Sequence, residues 1–439
     1  MQRTDESSIR SPKRRALAKA SRANWFRYYA GFSEGFVEDI IAELDLRDGA
    51  TLLDPWLGSG TTSQVATAKG YRIRGYDLNP AMLVVAKART LATSAVKQIP
   101  ALTSAISRHY ERSLKTGEKS SRPAIEPLEQ WLQPAAARAF RRLERSVATT
   151  VSEPKPSLTT SIWSRADRVS AILAFFYVGL FRALRHFISE FQGSNPTWIK
   201  TSDGKERVYL STDRILNRLC KEIERLSTAI QSETQVMPLV GSRRCVIGRA
   251  SSLRLPLSSG SVDAVISSPP YCTRIDYVRA TLPELAVIGY PNGDSIRRLR
   301  EKMMGTTTID KTKNYDSDAW GSTCSRFLSA VQRHPSKASS TYYLKYYRQY
   351  FASAFASLRE IDRVLKKSGR CVLVVQDSYY KEIRNDLPYI FIEMANGLGW
   401  SLKQKVDFHI KQTLAGVNPE VRPYRQTFQA TESALVFSK

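Results

Sequence analysis

The sequence predicts an α/β protein with a doubly wound, mostly parallel, Rossmann-like sheet of seven strands and an inserted helical subdomain. Three observations carry this prediction: short apolar runs recur along the chain, helical periodicity separates the early runs, and a glycine-rich turn follows the first one. We expect one antiparallel strand near the C-terminus. The strand candidates are marked by Leu52, Tyr71, Val246, Val262, Cys371, Val406 and Leu435.

The first strand candidate leads into a tight glycine turn. Residues 51–62 have the sequence TLLDPWLGSGTT, which predicts a strand, a turn and the start of a helix that ends near Gly70. A second strand ends at Asp77, about 20 residues past the turn, which is the spacing of an acid that binds ribose hydroxyls. This unit of strand, turn, helix and strand therefore predicts a nucleoside-binding site. Alternatively, Asp77 is an ordinary polar residue at the end of a strand.

Two further residues indicate which nucleoside fits. Ser63 occupies the position of the third glycine in the dinucleotide pattern, and a ligand without a pyrophosphate needs that glycine less. Asp54 adds a negative charge that repels a phosphate and attracts a cation. The turn therefore favours a cationic nucleoside without phosphates, and the alternative for Asp54 is a capping role.

A second motif, Ser268-Pro269-Pro270-Tyr271, follows the apolar run 262–267 at the predicted end of a strand. Two prolines remove two backbone donors, so the turn presents carbonyl oxygens. If the Ser268 hydroxyl and the Pro269 carbonyl accept the two hydrogens of an amino group, the nitrogen is held with its lone pair towards an electrophile. Tyr271 offers a flat surface for a nucleobase. The alternative is a Pro-Pro turn with an aromatic lid.

The C-terminal part of the chain supplies the remaining elements of the predicted sheet. Apolar residues at helical spacing predict a helix over 351–365, and a Lys-Lys-Ser-Gly turn separates it from a buried strand at 370–377. A helix over 390–397 and a strand over 433–437 complete the pattern.

Together, the segment 54–62 and the Ser-Pro-Pro-Tyr turn resemble the amino-methyltransferases that modify exocyclic nitrogens of DNA bases with S-adenosylmethionine. The serine that opens the turn makes the chain most similar to the cytosine-N4 branch, because an aspartate is more frequent there in the adenine-N6 enzymes. The resemblance implies base flipping, followed by direct in-line methyl transfer without a covalent enzyme intermediate. It further implies double-stranded DNA as a partner and a cognate restriction endonuclease as a candidate second partner.

The resemblance also implies roles for individual residues. Cofactor contacts come from the segment before the first strand, the glycine turn and the end of the second strand: Phe32, Ser33, Asp54, Pro55, Gly58, Gly60, Thr61, Asp77 and Leu78. The catalytic residues are those of the turn: Ser268, Pro269, Pro270 and Tyr271. Substrate contacts lie past the turn and in a basic stretch beyond it: Arg274, Asp276, Tyr277, Arg297 and Arg298. Alternatively, Asp276 forms a structural ion pair with Arg274.

One position departs from the family pattern. Arg249 stands where an acid would contact the adenine of the cofactor, and a guanidinium cannot accept a hydrogen from the adenine amino group. Adenine contacts must then come from the backbone or from elsewhere.

The predicted catalytic domain comprises residues 23–94 and 241–439. Between its halves, residues 95–240 carry helical patterns and form an inserted helical subdomain that is a candidate for target recognition. Residues 275–338 form a second insertion, with a basic stretch, and are a candidate DNA contact. A row of arginines in the first insertion lies on a solvated helix face or contacts phosphate: Arg138, Arg141, Arg142 and Arg145.

The composition predicts a polyanionic partner, since 66 Lys and Arg against 41 Asp and Glu give a formal net charge of +25. Residues 1–22 are predicted to be a basic, flexible arm rather than a signal peptide, so a cytoplasmic location is expected. The longest apolar stretch, 169–181, is shorter than the roughly 20 residues that a bilayer requires. Neither a metal site nor a disulfide is expected from the spacing of the five cysteines and four histidines.

Three alternatives stay open at the level of the sequence. An adenine-N6 DNA methyltransferase uses the same amino-group chemistry, and so does an RNA enzyme that methylates guanine N2 or adenine N6. The third is a nucleic-acid-binding module without activity, which Arg249 motivates.

Overall fold

The computed structural model describes residues 9–13, 21–26, 31–116, 126–152, 161–193, 195, 197–204, 206–233, 235–241, 243–310, 312–313, 315–410 and 430–439. A seven-stranded sheet forms the centre of this part of the chain. Its strands are β1 (Thr51–Asp54), β2 (Arg72–Asp77), β3 (Cys245–Arg249), β4 (Val262–Ser267), β5 (Leu365–Gln376), β8 (Ser401–Ile410) and β9 (Ala430–Ser438). A separate hairpin comprises β6 (Ser378–Tyr380) and β7 (Ile383–Asn385).

The strand order of the main sheet is β3-β2-β1-β4-β5-β9-β8. Strand β9 runs antiparallel to both of its neighbours, whereas every pair from β3 through β5 is parallel. The predictions of seven strands and of one antiparallel strand near the C-terminus are confirmed. The Lys-Lys-Ser-Gly segment expected as a turn lies within β5, where the pairing with β4 jumps from Leu365 to Arg370.

Helices cover both faces of the sheet, as a doubly wound fold requires. On one face lie α1 (Glu34–Glu43) and α2 (Thr61–Ala68), and on the other lie α11 (Leu344–Val364) and α12 (Leu387–Gly397). Because successive side chains of a strand point to opposite faces, Leu52 packs with the α1 side and Leu53 with the α11 side. Both leucines are fully buried.

The chain reverses its direction across the sheet between β1 and β4. From β1 it continues to β2 and β3 on one side, and it then returns to β4 on the other side of β1. Ligands of such sheets bind at this switch point, beyond the carboxyl ends of the strands. Asp54 and Ser267 are the last residues of the two strands concerned.

The first insertion contains α4 (Ile99–Lys115), α5 (Pro134–Val151), α6 (Ala171–Phe187) and α7 (Thr212–Gln231). These helices share one apolar cluster with α3 (Pro80–Arg89), the helix that follows β2. In the second insertion lie α8 (Leu282–Val287), α9 (Asp294–Lys302) and α10 (Ser322–Arg333). The first insertion is thus packed onto the sheet through α3.

The arginine row of α5 is split between the core and the surface. Arg141 is 7% exposed, and it binds the carboxylates of Glu126 and Glu144 as well as the carbonyl oxygens of Ala286 and Val287 at the end of α8. For Arg141 both alternatives, a solvated face and a phosphate contact, are wrong, because the side chain is buried and its donors bind groups inside the protein.

The described parts of the predicted basic arm are packed. Arg10 pairs with Glu38 and Asp39 on α1, and Arg22 is fully buried against Glu233. Both arginines are therefore held by ion pairs, whereas the sequence predicted a flexible arm at these positions. Residues 1–8 and 14–20 of the arm lie outside the described residues.

No helix of the described residues is both long and apolar enough to cross a membrane. The same part of the chain holds no cluster of His, Cys, Asp and Glu side chains suited to a metal ion.

Candidate active site

A single cleft at the carboxyl edge of the sheet is lined by both sequence motifs. Residues 54–59 and Asp77 form part of its wall, and the turn Ser268–Tyr271 forms another part. The two motifs are brought together because β1 and β4 are neighbours that end at the same edge. Further predicted residues in the lining are Phe32, Thr61, Leu78 and Tyr277.

The carboxylate of Asp54 lies at the floor of the cleft with only 2% of the residue exposed. One of its oxygens accepts the hydroxyl of Ser267 at 2.5 Å and the amide of Trp56 at 3.3 Å. Burial raises the pKa of Asp54 to about 6, because the charged form has lost most of its water. A cationic ligand beside it would favour the ionised form and lower this pKa again.

Asp77 ties the glycine turn to the end of the second strand. Its two oxygens accept the backbone amides of Gly58 at 2.9 Å and Asn79 at 2.8 Å. Burial raises the pKa of Asp77 to about 6 as well. Because a carboxylate oxygen accepts more than one hydrogen bond, each oxygen can still bind a ligand hydroxyl.

Two residues predicted to contact the cofactor make packing or capping contacts within the fold. Gly60 has φ +79°, and a Cβ atom there would lie 2.5 Å from the Cβ of Ala86 on α3, so the glycine permits close packing of two helices. The Ser33 hydroxyl accepts the amide of Phe36 at 3.2 Å and donates to the Ser11 carbonyl at 2.9 Å. Neither residue is part of the cleft lining.

Two hydrogen bonds hold the backbone and the serine of the Ser-Pro-Pro-Tyr turn. The Ser268 hydroxyl donates to the Val374 carbonyl at 3.0 Å, which directs its hydrogen away and leaves its lone pairs as acceptors. The Pro270 carbonyl accepts the hydroxyl of Tyr350 at 2.8 Å. Among the described residues, no donor contacts the Pro269 carbonyl, so the oxygens of Ser268 and Pro269 are those available to a ligand.

The phenol of Tyr271 donates a hydrogen bond to the carboxylate of Glu432 on β9. Glu432 is 7% exposed, and burial raises its pKa. The backbone amide of Tyr271 binds the hydroxyl of Tyr277 at 3.3 Å. The orientation of the Tyr271 ring is therefore fixed at both ends. Sequence reasoning missed Glu432, although a lone acid in an otherwise apolar strand was a usable signal.

Most of the predicted substrate residues lie outside the cleft lining, and only Tyr277 is part of it. The Arg274 guanidinium lies over the rings of Tyr342 and Tyr343 at 5.4 and 5.1 Å from their centroids. Asp276 pairs with Arg300 at 2.6 Å, so the alternative pairing with Arg274 was wrong. 

The two basic residues predicted on the second insertion lie on the exposed face of α9. There Arg297 pairs with Asp294 and Glu301 at 3.0 and 3.1 Å, and Arg298 contacts the Ser295 hydroxyl at 3.4 Å. The structure therefore does not bring Arg297 or Arg298 into the cleft.

The wall opposite the glycine turn comes from segments without a recognised motif. Residues 250–253 follow β3, and residues 302–304 belong to the second insertion. Arg249, at the position of the expected acid, lies 6.0 Å from the ring of Trp163 and outside the cleft lining. Residues 250–253, which are Ala, Ser, Ser and Leu, form this part of the wall.

No family model matches the chain. The chain is similar to the type II methyltransferase M.BsoBI of Geobacillus stearothermophilus, with 27% identity over 316 residues that cover 66% of this chain and 57% of that protein. It is also similar to the type II methyltransferase M.AvaI of Nostoc sp., with 22% identity over 407 residues that cover 87% of this chain and 79% of that protein. The chain therefore spans little more than half the length of the first relative. Both relatives are named type II methyltransferases, which confirms the predicted resemblance to DNA methyltransferases, while neither name bears on the cytosine-N4 branch.

Proposed function

We propose that this chain transfers a methyl group from S-adenosylmethionine to an exocyclic amino nitrogen in double-stranded DNA at a defined sequence, most specifically to N4 of cytosine. The observation that carries the proposal is the single cleft lined by Asp54, Asp77 and the turn Ser268–Tyr271. The similarity to type II methyltransferases supports the same class of reaction.

The cleft fits the proposed cofactor, which supplies a methyl group bound to a positively charged sulfur. The buried carboxylate of Asp54 attracts the cationic end of the cofactor, and Asp77 accepts its ribose hydroxyls. Leu78 and Leu253 provide apolar contacts for the adenine.

The turn positions the target nitrogen. The oxygens of Ser268 and Pro269 accept the two amino hydrogens, and the ring of Tyr271 stacks on the flipped base. A serine hydroxyl is too weak a base to remove a proton beforehand. The nitrogen would therefore attack the methyl carbon first, the carbon–sulfur bond would break to leave a neutral thioether, and the positively charged methylated nitrogen would then lose its proton to solvent as the base leaves the cleft. Holding the acceptors rigidly in a dry cleft lowers the barrier without a covalent intermediate.

The proposal is tested by incubating the purified chain with labelled S-adenosylmethionine and unmethylated genomic DNA, followed by digestion to nucleosides and chromatography. We expect the label in N4-methylcytosine. Label in N6-methyladenine would refute the cytosine assignment. In a parallel incubation with structured RNA in place of DNA, labelled RNA together with unlabelled DNA in the first incubation would refute the DNA substrate.

The matched variant for this assay is Ser268→Ala. We expect it to lower kcat about 100-fold, because one of two acceptors for the amino group is lost. Its dissociation constant for S-adenosylmethionine, measured by calorimetry, should stay within twofold of that of the parent chain. Unchanged kcat would contradict the role proposed for the turn.

We include two further elements in the proposal: action in the cytoplasm and a cognate restriction endonuclease that cuts the same DNA sequence. Genomic DNA methylated by the purified chain should then resist cleavage by an extract of the source cells, while unmethylated DNA is cut. Equal cleavage of both DNAs would exclude such a partner.

A further inference from the structure

An exposed tryptophan is stacked with an arginine where the two insertions meet. The Trp198 side chain belongs to the first insertion and is 43% exposed. The guanidinium of Arg279, in the second insertion, lies 4.0 Å from the centroid of its ring. A planar cation over an indole is a favourable pair, and the stack presents a broad flat surface to solvent.

The surrounding chain holds Trp198 rigidly at the surface. Its neighbours Thr197 and Ile199 are buried, with 7% and 3% exposure. The Trp198 amide donates to the Asn195 carbonyl at 3.2 Å, and the Lys200 amide donates to the Phe191 carbonyl at 3.0 Å. The described neighbours of Trp198 thus fix its backbone while part of the ring stays exposed, and the exposed part of the Trp198–Arg279 stack offers a flat surface to a planar ligand.

The stack lies next to the candidate active site. Arg279 begins the short turn Arg279–Thr281, two residues after Tyr277, which lines the cleft. Arg185 braces this turn through the Ala280 carbonyl at 2.5 Å, and Asn79 does so through the Thr281 hydroxyl at 2.7 Å. Asn79 itself follows the cleft residues Asp77 and Leu78.

The charge of Arg279 is available to an anionic partner. Among the described residues, no carboxylate pairs with its guanidinium, whereas Asp276 nearby is paired with Arg300. In a chain with a net charge of +25, such an arginine at the rim of a cleft favours a phosphate backbone.

We propose that the Trp198–Arg279 stack is a DNA contact that stabilises the duplex beside the flipped base. Extraction of a base leaves neighbouring bases with exposed faces, and the Trp198 ring stacks on one of these while Arg279 binds an adjacent phosphate. This inference rests on the proposed function, since it requires that the chain flips a base from DNA.

The first test measures methylation of unmethylated genomic DNA by Trp198→Ala, Trp198→Phe and Arg279→Ala. We expect Trp198→Ala and Arg279→Ala to lower kcat/KM for DNA at least tenfold, and Trp198→Phe to stay within threefold because an aromatic ring remains. The control is Tyr209→Ala, at a tyrosine of the same insertion that is 65% exposed, and it should stay within twofold. All variants should bind S-adenosylmethionine as the parent chain does.

The second test uses fluorescence and needs no catalysis. A base stacked on an indole quenches its emission, so DNA should quench the parent chain, which has 7 tryptophans, more than it quenches Trp198→Phe. Equal quenching, together with parent-level kcat/KM for Trp198→Ala, would overturn this inference and leave the proposed function standing. Failure of the parent chain to methylate any DNA would instead overturn the proposed function.

Discussion

At the scale of single residues, the cleft keeps two carboxylates in an environment that disfavours their charge. Burial raises the pKa of both Asp54 and Asp77 to about 6, well above the ordinary value of 3.8. Each group is held by hydrogen bonds, yet these offset only part of the lost hydration. A cationic ligand therefore binds most strongly when both carboxylates are ionised.

We expect the affinity for S-adenosylmethionine to decrease as the pH falls through about 6, because Asp54 and Asp77 then bind protons and lose the charge that attracts the cofactor. Calorimetry at pH 8, 6.5 and 5.5 measures this, and the dissociation constant should rise about tenfold or more over that range. In Asp54→Asn the remaining pH dependence should be smaller. An affinity independent of pH would contradict the assignment of the carboxylates.

The raised pKa values of Asp54 and Asp77 have the opposite effect on the stability of the ligand-free protein, which falls as the pH rises. A raised folded-state pKa means that the folded protein binds more protons than the unfolded chain between about pH 4 and 6, so these two groups make stability fall as the pH rises through that window. Bound cofactor offsets this loss.

The contact between Tyr271 and Glu432 gives a second prediction at this scale. Tyr271→Phe leaves the buried Glu432 carboxylate without its donor, so we expect about 1–3 kcal/mol lower stability and roughly tenfold lower kcat. Glu432→Gln retains an acceptor and should be milder. Urea unfolding and steady-state kinetics measure both effects.

The control for this pair is Tyr389→Phe, at a phenol that is 52% exposed. It should change neither stability nor kcat. If Tyr271→Phe behaves like this control, the hydrogen bond to Glu432 does not orient the ring.

A substitution at Ser33 distinguishes a structural role of this residue from a role in cofactor binding. Because its hydroxyl caps α1, Ser33→Ala should lower stability by about 1 kcal/mol and leave the affinity for S-adenosylmethionine unchanged. Ser211→Ala, which removes the corresponding cap of α7, is the control for stability. A tenfold loss of affinity in Ser33→Ala would restore the sequence-based prediction that this residue contacts the cofactor.

At the scale of elements, hydrophobic periodicity predicted where the strands and helices lie. The turn residues that were predicted to contact the ligand do not all line the cleft. The strand ending at Asp77 and the helix starting at Thr61 are confirmed. Both glycines of the turn were predicted to contact the ligand, yet of the two only Gly58 lines the cleft. Gly60 serves the packing of α2 against α3, a contact between elements that no local pattern encodes.

Gly60 can be tested against a glycine of similar backbone conformation. Gly60→Ala combines a left-handed φ of +79° with a clash against Ala86, so we expect a stability loss of about 2–4 kcal/mol. Gly70→Ala has φ +82° with nothing within 4 Å of the added Cβ, so only about 1 kcal/mol should be lost. Urea unfolding compares them, and equal losses would show that the close approach to α3 is unimportant.

At the scale of the whole molecule, the two insertions are joined to each other by buried charged groups. Arg141 connects α5 with the end of α8, and Arg185 binds the fully buried Glu284 on α8. The segments expected to read DNA are therefore held in a defined position beside the cleft.

We expect Arg141→Met to lower stability by about 3–5 kcal/mol, because the carboxylates of Glu126 and Glu144 remain buried without their cation. Arg138→Met, on the exposed face of the same helix, should change stability by less than about 0.5 kcal/mol. Urea unfolding followed by circular dichroism measures both. A small loss for Arg141→Met would mean that this buried group does not hold the insertions together.

The sequence by itself determined the sheet, its single antiparallel strand and the two motifs at the strand ends, because periodicity and turn residues are local and repeat along the chain. It also indicated the methyltransferase family. Only the tertiary structure decided that Arg300 pairs with Asp276, that Glu432 holds Tyr271, and that Trp198 meets Arg279. These contacts join residues far apart in the chain, and their existence depends on how helices and strands pack, which short patterns do not specify.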